Sequence, residues 1–488
     1  MPNRRKYITM QFHSTNKSKH LPTRNLISKK SINSLNLFNQ NKGYYGKVLD
    51  KKSKGFSFRQ VLRLGLAPDK GLFMPNAWPR LPSGFFKRLK KQNFKQIAFE
   101  VASQFADVPS GQLKNIIDKA FDFPAPLKHL SDNIYVLELF HGPTMSFKDF
   151  GARFLSRSLG YFLRTSQAQL NIIVATSGDT GSAVASGFFK IPGIRVFILY
   201  PSGKVSPLQE KQLTTYGENI TAIEVKGAFD DCQKLVKQVL ADSELNQMMK
   251  FSSANSINFG RLLPQSFYYF WAYGQLQKAL NPHPALSQGE RGEQIRPVIV
   301  VPSGNFGNLF AGLMAKKMGL PIAKFIAATN SNNIVPNYLN TGKFLPKKSK
   351  KTISNAMDVG NPSNFARILE LYRGNYKLMA KDIVGLSVSD ADTRKTIKAI
   401  YKQTGYILDP HTAVGVKAAE NYQRKAKSQD PIIVLSTAHP AKFGEIVEPV
   451  IGKKLILPKQ LKGVMNKKKR SIVVSANYKK LRSILLWQ

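Results

Sequence analysis

Residues 171–190 read NIIVATSGDTGSAVASGFFK. A short apolar run, Asn171 to Ala175, gives way to a turn of hydroxyl residues and glycine, Thr176 to Ser182. Small and aromatic residues of helical character follow. This is the order strand, turn, helix. It recurs at 298–319, where VIVV leads through PSGNFGN into LFAGLMAKKMG, and at 431–445, where PIIVLS leads into TAHPAKFGE. Strands that alternate with helices predict an α/β fold with a mostly parallel sheet. Such sheets hold ligands at the carboxyl ends of their strands, where these turns lie.

The bulk properties set limits around that core. The chain has 488 residues, 42% hydrophobic and 10% aromatic, enough for two or three domains and a large interior. No apolar run reaches the roughly 18 residues that a membrane helix needs. Basic residues near the N-terminus have no apolar segment behind them, which argues against a secretory signal. The single cysteine, Cys232, excludes an intrachain disulfide and suits a reducing, cytoplasmic setting. The net charge of +44 is concentrated at the ends. Residues 1–49 hold ten Lys/Arg and residues 452–488 hold eleven, with no acid in either stretch. With no Arg/aromatic RNA-binding signature, the charge reads as solvated basic tails, and no specific nucleic acid or membrane partner is expected. Residues 281–296 open with NPHPALSQGERGEQ and look like a loop insertion.

One stretch does not fit a bland reading. In HGPTMSFKDFGARFL, residues 141–155, the spacing of Ser146 and Asp149 predicts a capping box. Phe147, Phe150, Phe154, Leu155, Leu159 and Phe162 then predict an amphipathic helix. Lys148 falls in its first turn, where it opposes the helix dipole and is costly to bury. Desolvation and the helix start both favour the neutral amine, which is the form that attacks an aldehyde. Two other turns, Thr176–Ser182 and Ser303–Asn308, offer N–H groups and hydroxyls to an anion at a helix start. Taken alone, each is more often a mere tight or capped turn. Together with the lysine they suggest an anionic cofactor attached through an imine.

The runs GLAPDKGLFMP, HGPTMSFKDFGARFL, ATSGDTGSA, LYPSGKVSPLQEKQ, SANSINFGRLLPQ, VPSGNFGNLFAGLMAKKMGLP, DPHTAVGV and STAHPAKF resemble, in order, the threonine synthase family. That resemblance spans about residues 55–452. It implies a tryptophan-synthase-β-like fold dependent on pyridoxal 5'-phosphate. Two open, twisted, mostly parallel sheets would be flanked by helices, with the cofactor between domains and a threonine-synthase N-terminal domain added. The implied organisation is a basic extension and insertion over 1–54, the N-terminal domain over 55–135, a cofactor-binding region over 136–452 and a basic tail over 453–488. MQFHSTN at 10–16 resembles the usual start of the family.

The resemblance also implies roles. Lys148 would bond the cofactor aldehyde. Gly304, Asn305, Phe306 and Asn308 would bind its phosphate, and Thr437 would place a hydroxyl by the ring nitrogen. Ser177, Asp179 and Thr180 would lie along the substrate. Asn255, Arg261 and Lys204 would face a substrate phosphate, with a surface ion pair an equal reading of Lys204. The implied reaction turns O-phospho-L-homoserine and water into L-threonine and phosphate, in a monomer or homodimer. A phospho-lyase releasing 2-oxobutyrate and a non-catalytic scaffold are the alternatives. His141, Asp409 and His411 lack the clustered spacing of a metal site, and His141 and His439 read as supports of neighbouring turns. Residues 17–54 and the tail from about 465 are expected to stay extended and to be dispensable for catalysis, because their like charges repel.

Overall fold

The computed structural model describes residues 10–17, 55–164, 169–280 and 295–487. The expectations placed on 1–9, 18–54 and the loop at 281–294 lie outside these residues. The described strands, in chain order, are β1 (Phe12–Ser14), β2 (Phe73–Pro75), β3 (Leu127–Ser131), β4 (Ile134–Glu138), β5 (Leu170–Ala175), β6 (Ile194–Pro201), β7 (Ile220–Lys226), β8 (Phe251–Ser253), β9 (Val298–Pro302), β10 (Lys324–Thr329), β11 (Ile383–Ser387), β12 (Ile432–Ser436) and β13 (Ile472–Ser475).

Two sheets carry the architecture. One has the order β11-β10-β9-β12-β4-β3, parallel except for β3, which turns back antiparallel on β4. The other, β13-β7-β6-β5-β8, is parallel throughout. Every residue of β5, β9 and β12 is buried. Strands of parallel sheets covered on both faces need such unbroken apolar runs, and LNIIVA, VIVVP and IIVLS supply them. The expectation of a mostly parallel α/β fold is met in both sheets.

The N-terminal module packs on the helix that starts at the lysine. β1 pairs antiparallel with β2, and Phe12 meets Phe259 edge-on at 4.9 Å. Capping boxes at Ser57/Gln60 and Asn93/Gln96 start two of its helices, satisfying N–H groups that have no partner within the helix. Phe94, Phe121 and Phe123 surround Phe150, two residues from the lysine. Arg367, fully buried, donates to the carbonyls of Phe73 and Ile257 and to Asn364 Oδ1, and so ties β2 to the body of the molecule.

The C-terminal segment corrects an expectation. Residues 459–487 form a helix (Lys459–Met465), β13 and a second helix (Tyr478–Trp487). β13 adds an edge to β7, while Leu481 and Leu485 are fully buried in a cluster with Val225, Cys232 and Leu235. The basic charge does not hold this segment open, because its cations nearest the body are paired. Lys469 Nζ sits 2.7 Å from Glu210 and 2.6 Å from Glu224, and Arg482 Nε lies 3.2 Å from Asp242. Burial of apolar residues at strand and helix spacing outweighs like-charge repulsion once acids face the cations.

Candidate active site

The candidate residues converge because each turn follows the carboxyl end of a parallel strand. β4, β12 and β9 are neighbours in one sheet, and they lead into the lysine turn, Thr437 and the Ser303–Asn308 loop. In the other sheet β5 leads to Ser177, Asp179 and Thr180, β6 to Lys204, and β8 to Asn255.

The lysine turn is fastened to the turn after β12. Leu139 N donates to Ser436 O at 3.0 Å, Phe147 N to Thr437 O at 2.9 Å, and His439 N to Met145 O at 3.1 Å. Residues 145–147 are therefore committed to strand-like pairing, and the helix (Lys148–Leu163) begins at Lys148 itself with Phe147 as its cap. The expected capping box does not form. Asp149 turns its carboxylate to the Thr144 N–H (2.9 Å) and hydroxyl (2.8 Å), while Ser146 Oγ accepts from Lys148 N at 3.4 Å. Burial pushes the Asp149 carboxyl up to about 6, against the hydrogen bonds from Thr144. The expected apolar stripe does form: Phe150, Phe154, Leu155, Leu159 and Phe162 are all buried.

Lys148 reaches Asp179 of the other sheet, with Nζ 3.5 Å from Oδ2. Asp179 also accepts from Gln209 Nε2 at 2.7 Å and pairs with Lys442 Nζ at 2.7 Å, both on Oδ1. Lys442 Nζ further donates to Thr144 O at 2.9 Å, which also accepts from Gln212 at 3.2 Å. Burial lowers the Lys148 amine below the usual lysine range. Asp179 opposes this, and the nearby Lys442 and Arg261 add to it. Burial would raise the Asp179 carboxyl, yet Lys442 and Lys148 hold it well below the usual carboxylate range. Gln209 and Lys442 escaped the reading of the sequence. The signal for Lys442 was its place inside an otherwise apolar run, HPAKF, since a buried lysine demands a partner.

At the third turn, Phe306 takes a left-handed conformation (φ 61°) just before the helix Gly307–Lys317, with no side-chain cap. The first N–H groups of that helix are thus left for a ligand. Gly304 lies under Ala356, where an added Cβ would stand 2.7 Å from the carbonyl oxygen. Asn308 Oδ1 accepts from the hydroxyls of Tyr268 (2.6 Å) and Tyr269 (2.9 Å). Its Nδ2 is buried without a partner. An unpaired buried donor beside uncapped N–H groups fits an anionic group such as a cofactor phosphate.

The remaining candidates take varied positions. Thr437 is buried directly after β12. Asn255 is held by Ser253 and by Ala175 O, beside the Thr176 turn. Arg261 is buried against Gly151 of the lysine helix and donates Nη1 to Ala254 O at 2.5 Å, while its Nε lacks a partner. Ser177 and Lys204 are exposed and Thr180 is half-buried. His141 pairs with Glu138 at 2.8 Å, and His439 Nδ1 accepts from Ala441 N at 3.1 Å, each bracing its own turn. Among the described residues no group of His, Cys, Asp and Glu could hold a metal.

Comparison with known proteins accounts for this arrangement. The sequence profile described as "Threonine synthase N terminus" matches residues 49–121, "Pyridoxal-phosphate dependent enzyme" matches 120–438, and "Threonine synthase, C-terminal" matches 412–485. The threonine synthase of Buchnera aphidicola subsp. Baizongia pistaciae is 42% identical over 441 residues, which cover 90% of this chain and 98% of that one. The chain belongs to the threonine synthase family. As a threonine synthase it is a pyridoxal-phosphate-dependent lyase that forms threonine. Its fold matches the crystal structure of the Escherichia coli threonine synthase with a TM-score of 0.79 at 40% identity, covering 88% of this chain and 96% of that one. The structure described as PLP-bound threonine synthase from Brucella melitensis gives 0.79 at 33% identity, covering 89% and 97%. The C-terminal profile extends the likeness past residue 452, in keeping with the packed segment described above.

Proposed function

We propose that this threonine synthase converts O-phospho-L-homoserine and water into L-threonine and phosphate in the cytoplasm, as a monomer or homodimer, with Lys148 as the residue that bonds the cofactor. The observation that carries the reading is the placement of Lys148 at a helix start, half-buried, facing one carboxylate that a second lysine already neutralises. When bound, the cofactor supplies an electron sink that stabilises carbanions next to the substrate nitrogen.

The chain's own residues do the rest. The N–H groups of Gly304, Asn305 and Phe306, with Asn308 Nδ2, hold the cofactor phosphate. Thr437, buried directly after β12, would offer its hydroxyl to the ring nitrogen as a neutral partner and leave it less protonated than an aspartate would. Ser177 and Thr180 take the substrate carboxylate at the start of the helix Asp179–Phe188, where N–H groups favour an anion. Arg261, with its free Nε, and Asn255 face the substrate phosphate, and Lys204 stands on the exposed side of the same group of turns. The Lys148 amine, tethered beside the reacting carbons, accepts the Cα proton and serves the later proton transfers at Cβ and Cγ.

Turnover of phosphohomoserine by the purified holoenzyme tests this. Threonine and phosphate should form in equal amounts. Release of 2-oxobutyrate and ammonia would make the protein a phospho-lyase, and no reaction at all would remove the substrate assignment.

A further inference from the structure

Two lysines and one carboxylate meet in this interior, and the geometry does not treat the lysines alike. The Lys442 side chain has no exposed surface, and its Nζ makes two short contacts, to Asp179 Oδ1 and to Thr144 O. Lys148 keeps some exposure (16%) and stands off at 3.5 Å from Oδ2, a distance at which a hydrogen bond is weak. Asp179 is thus already held by the shorter ion pair and by Gln209. Other charges facing the pair are Arg261, which repels a Lys148 cation, and Asp149, whose charge Lys442 and Arg153 offset. His439, two residues from Thr437, is pushed by burial down to about 4 and is neutral at working pH.

One buried carboxylate fully compensates only one ammonium. The second amine in such a site is driven towards its neutral form. We propose that Lys442 is a positioning residue for the reaction: its ammonium is the fixed counter-ion of Asp179, so the Lys148 amine has no counter-ion of its own and keeps the lone pair with which it attacks an aldehyde. The condensation forms a C–N bond and expels one water, and an ammonium, which lacks that lone pair, cannot begin it. The inference rests on the reading of Lys148 as the cofactor lysine. Nothing in the roles implied by the family resemblance includes Lys442.

The test is the rate at which the cofactor-free protein recombines with pyridoxal 5'-phosphate as a function of pH, followed by the band of the lysine–aldehyde link at about 410–430 nm. In Lys442→Met, Asp179 turns to Lys148 and keeps it protonated. The pH of half-maximal rate should rise by one unit or more, with recombination at pH 7.5 slowed about tenfold, since each unit is tenfold in neutral amine. Lys442→Arg keeps the charge and should restore the wild-type midpoint even if turnover suffers from altered packing. If Lys442→Met does not fold, Asp179→Asn reads the same coupling in the other direction. With the carboxylate gone, the midpoint should fall below wild type. An unchanged midpoint in the folded variant would overturn the role of Lys442. Borohydride reduction and peptide mapping keep the two ideas apart: cofactor found on a lysine other than Lys148 would sink the reading of the site itself.

Discussion

Leu481→Ala should open the C-terminal edge of the molecule. Leu481 is fully buried, and its cluster contains strand residues such as Val225 and Leu199 that are fixed by sheet pairing. Such a site collapses poorly around a cavity. Removing a buried leucine side chain costs about 2–5 kcal/mol, and about 3 is expected here. At 1.4 kcal/mol per tenfold, the open population rises about 150-fold. Cys232, the chain's only cysteine, reports on that opening because it is fully buried in the same cluster and on the helix against which Tyr478–Trp487 packs. Burial pushes its thiol up to about 12, so the closed form offers almost no thiolate. A disulfide reagent at pH 8 should label the native protein slowly and the variant about two orders of magnitude faster, and full unfolding should also come at a lower temperature. Labelling within threefold of wild type, with an unchanged thermal midpoint, would show that the segment does not cover this core. The same logic predicts that truncation after residue 465 impairs the enzyme, because it removes Lys469 from Glu210 in the helix that also supplies Gln209 and Gln212.

Other outcomes follow from the site. Lys148→Ala should fold, lack the cofactor–lysine band and form no threonine, and Lys148→Arg should fail equally because a guanidinium stays charged; wild-type turnover in either would refute the assignment. Thr437→Ala should weaken cofactor binding by about 0.5–1.5 kcal/mol, read by titration. Thr437→Asp should redirect products by protonating the ring nitrogen, and an unaltered product ratio would move Thr437 away from that nitrogen. Burial pushes the Glu224 carboxyl up, but hydrogen bonds from Lys469, Ser202 and Tyr200 outweigh it and bring it to about 2, below its ordinary 4.5. The stability this provides is full above about pH 4.5 and is lost as pH falls through about 2. The unfolding gap between wild type and Lys469→Met should therefore narrow on acidification, and a gap constant from pH 7 to 3 would contradict the pairing.

The sequence showed what is periodic and local. Strands such as NIIVA and VIVV and the stripe from Phe150 to Phe162 announce themselves because both faces, or one stripe, must be apolar. Lys148 was legible because its local position is poor for a surface lysine. What stayed hidden depends on distant partners. Ser146 and Asp149 have the spacing of a capping box, but pairing with residues 437–439 starts the helix later and hands Asp149 to Thr144. The tail's eleven cations drew the eye from Leu481 and Leu485, and the acids that pair with Lys469 and Arg482 lie more than 200 residues earlier, in Glu210, Glu224 and Asp242. Lys442 and Gln209 share one carboxylate although more than 200 residues separate them, which no local pattern encodes.

The strand order has a consequence for how the molecule is made. β4 leads into the lysine helix, and one of its two neighbours, β12, is translated about 300 residues later. At about 5–20 residues per second, that interval lasts about 15–60 s on the ribosome. Throughout it, β4 has only β3 beside it, and its other edge is a row of unpaired backbone groups open to a foreign strand. The turn at Lys148 lacks the Thr437 carbonyl, the His439 amide and the Lys442 ammonium for just as long. No nascent fragment that stops short of residue 432 can therefore complete the pairing that fastens the lysine turn. If Lys148 is the cofactor lysine, as proposed, its surroundings are assembled only when the chain is nearly complete, and a product truncated before residue 432 should not take up pyridoxal phosphate there.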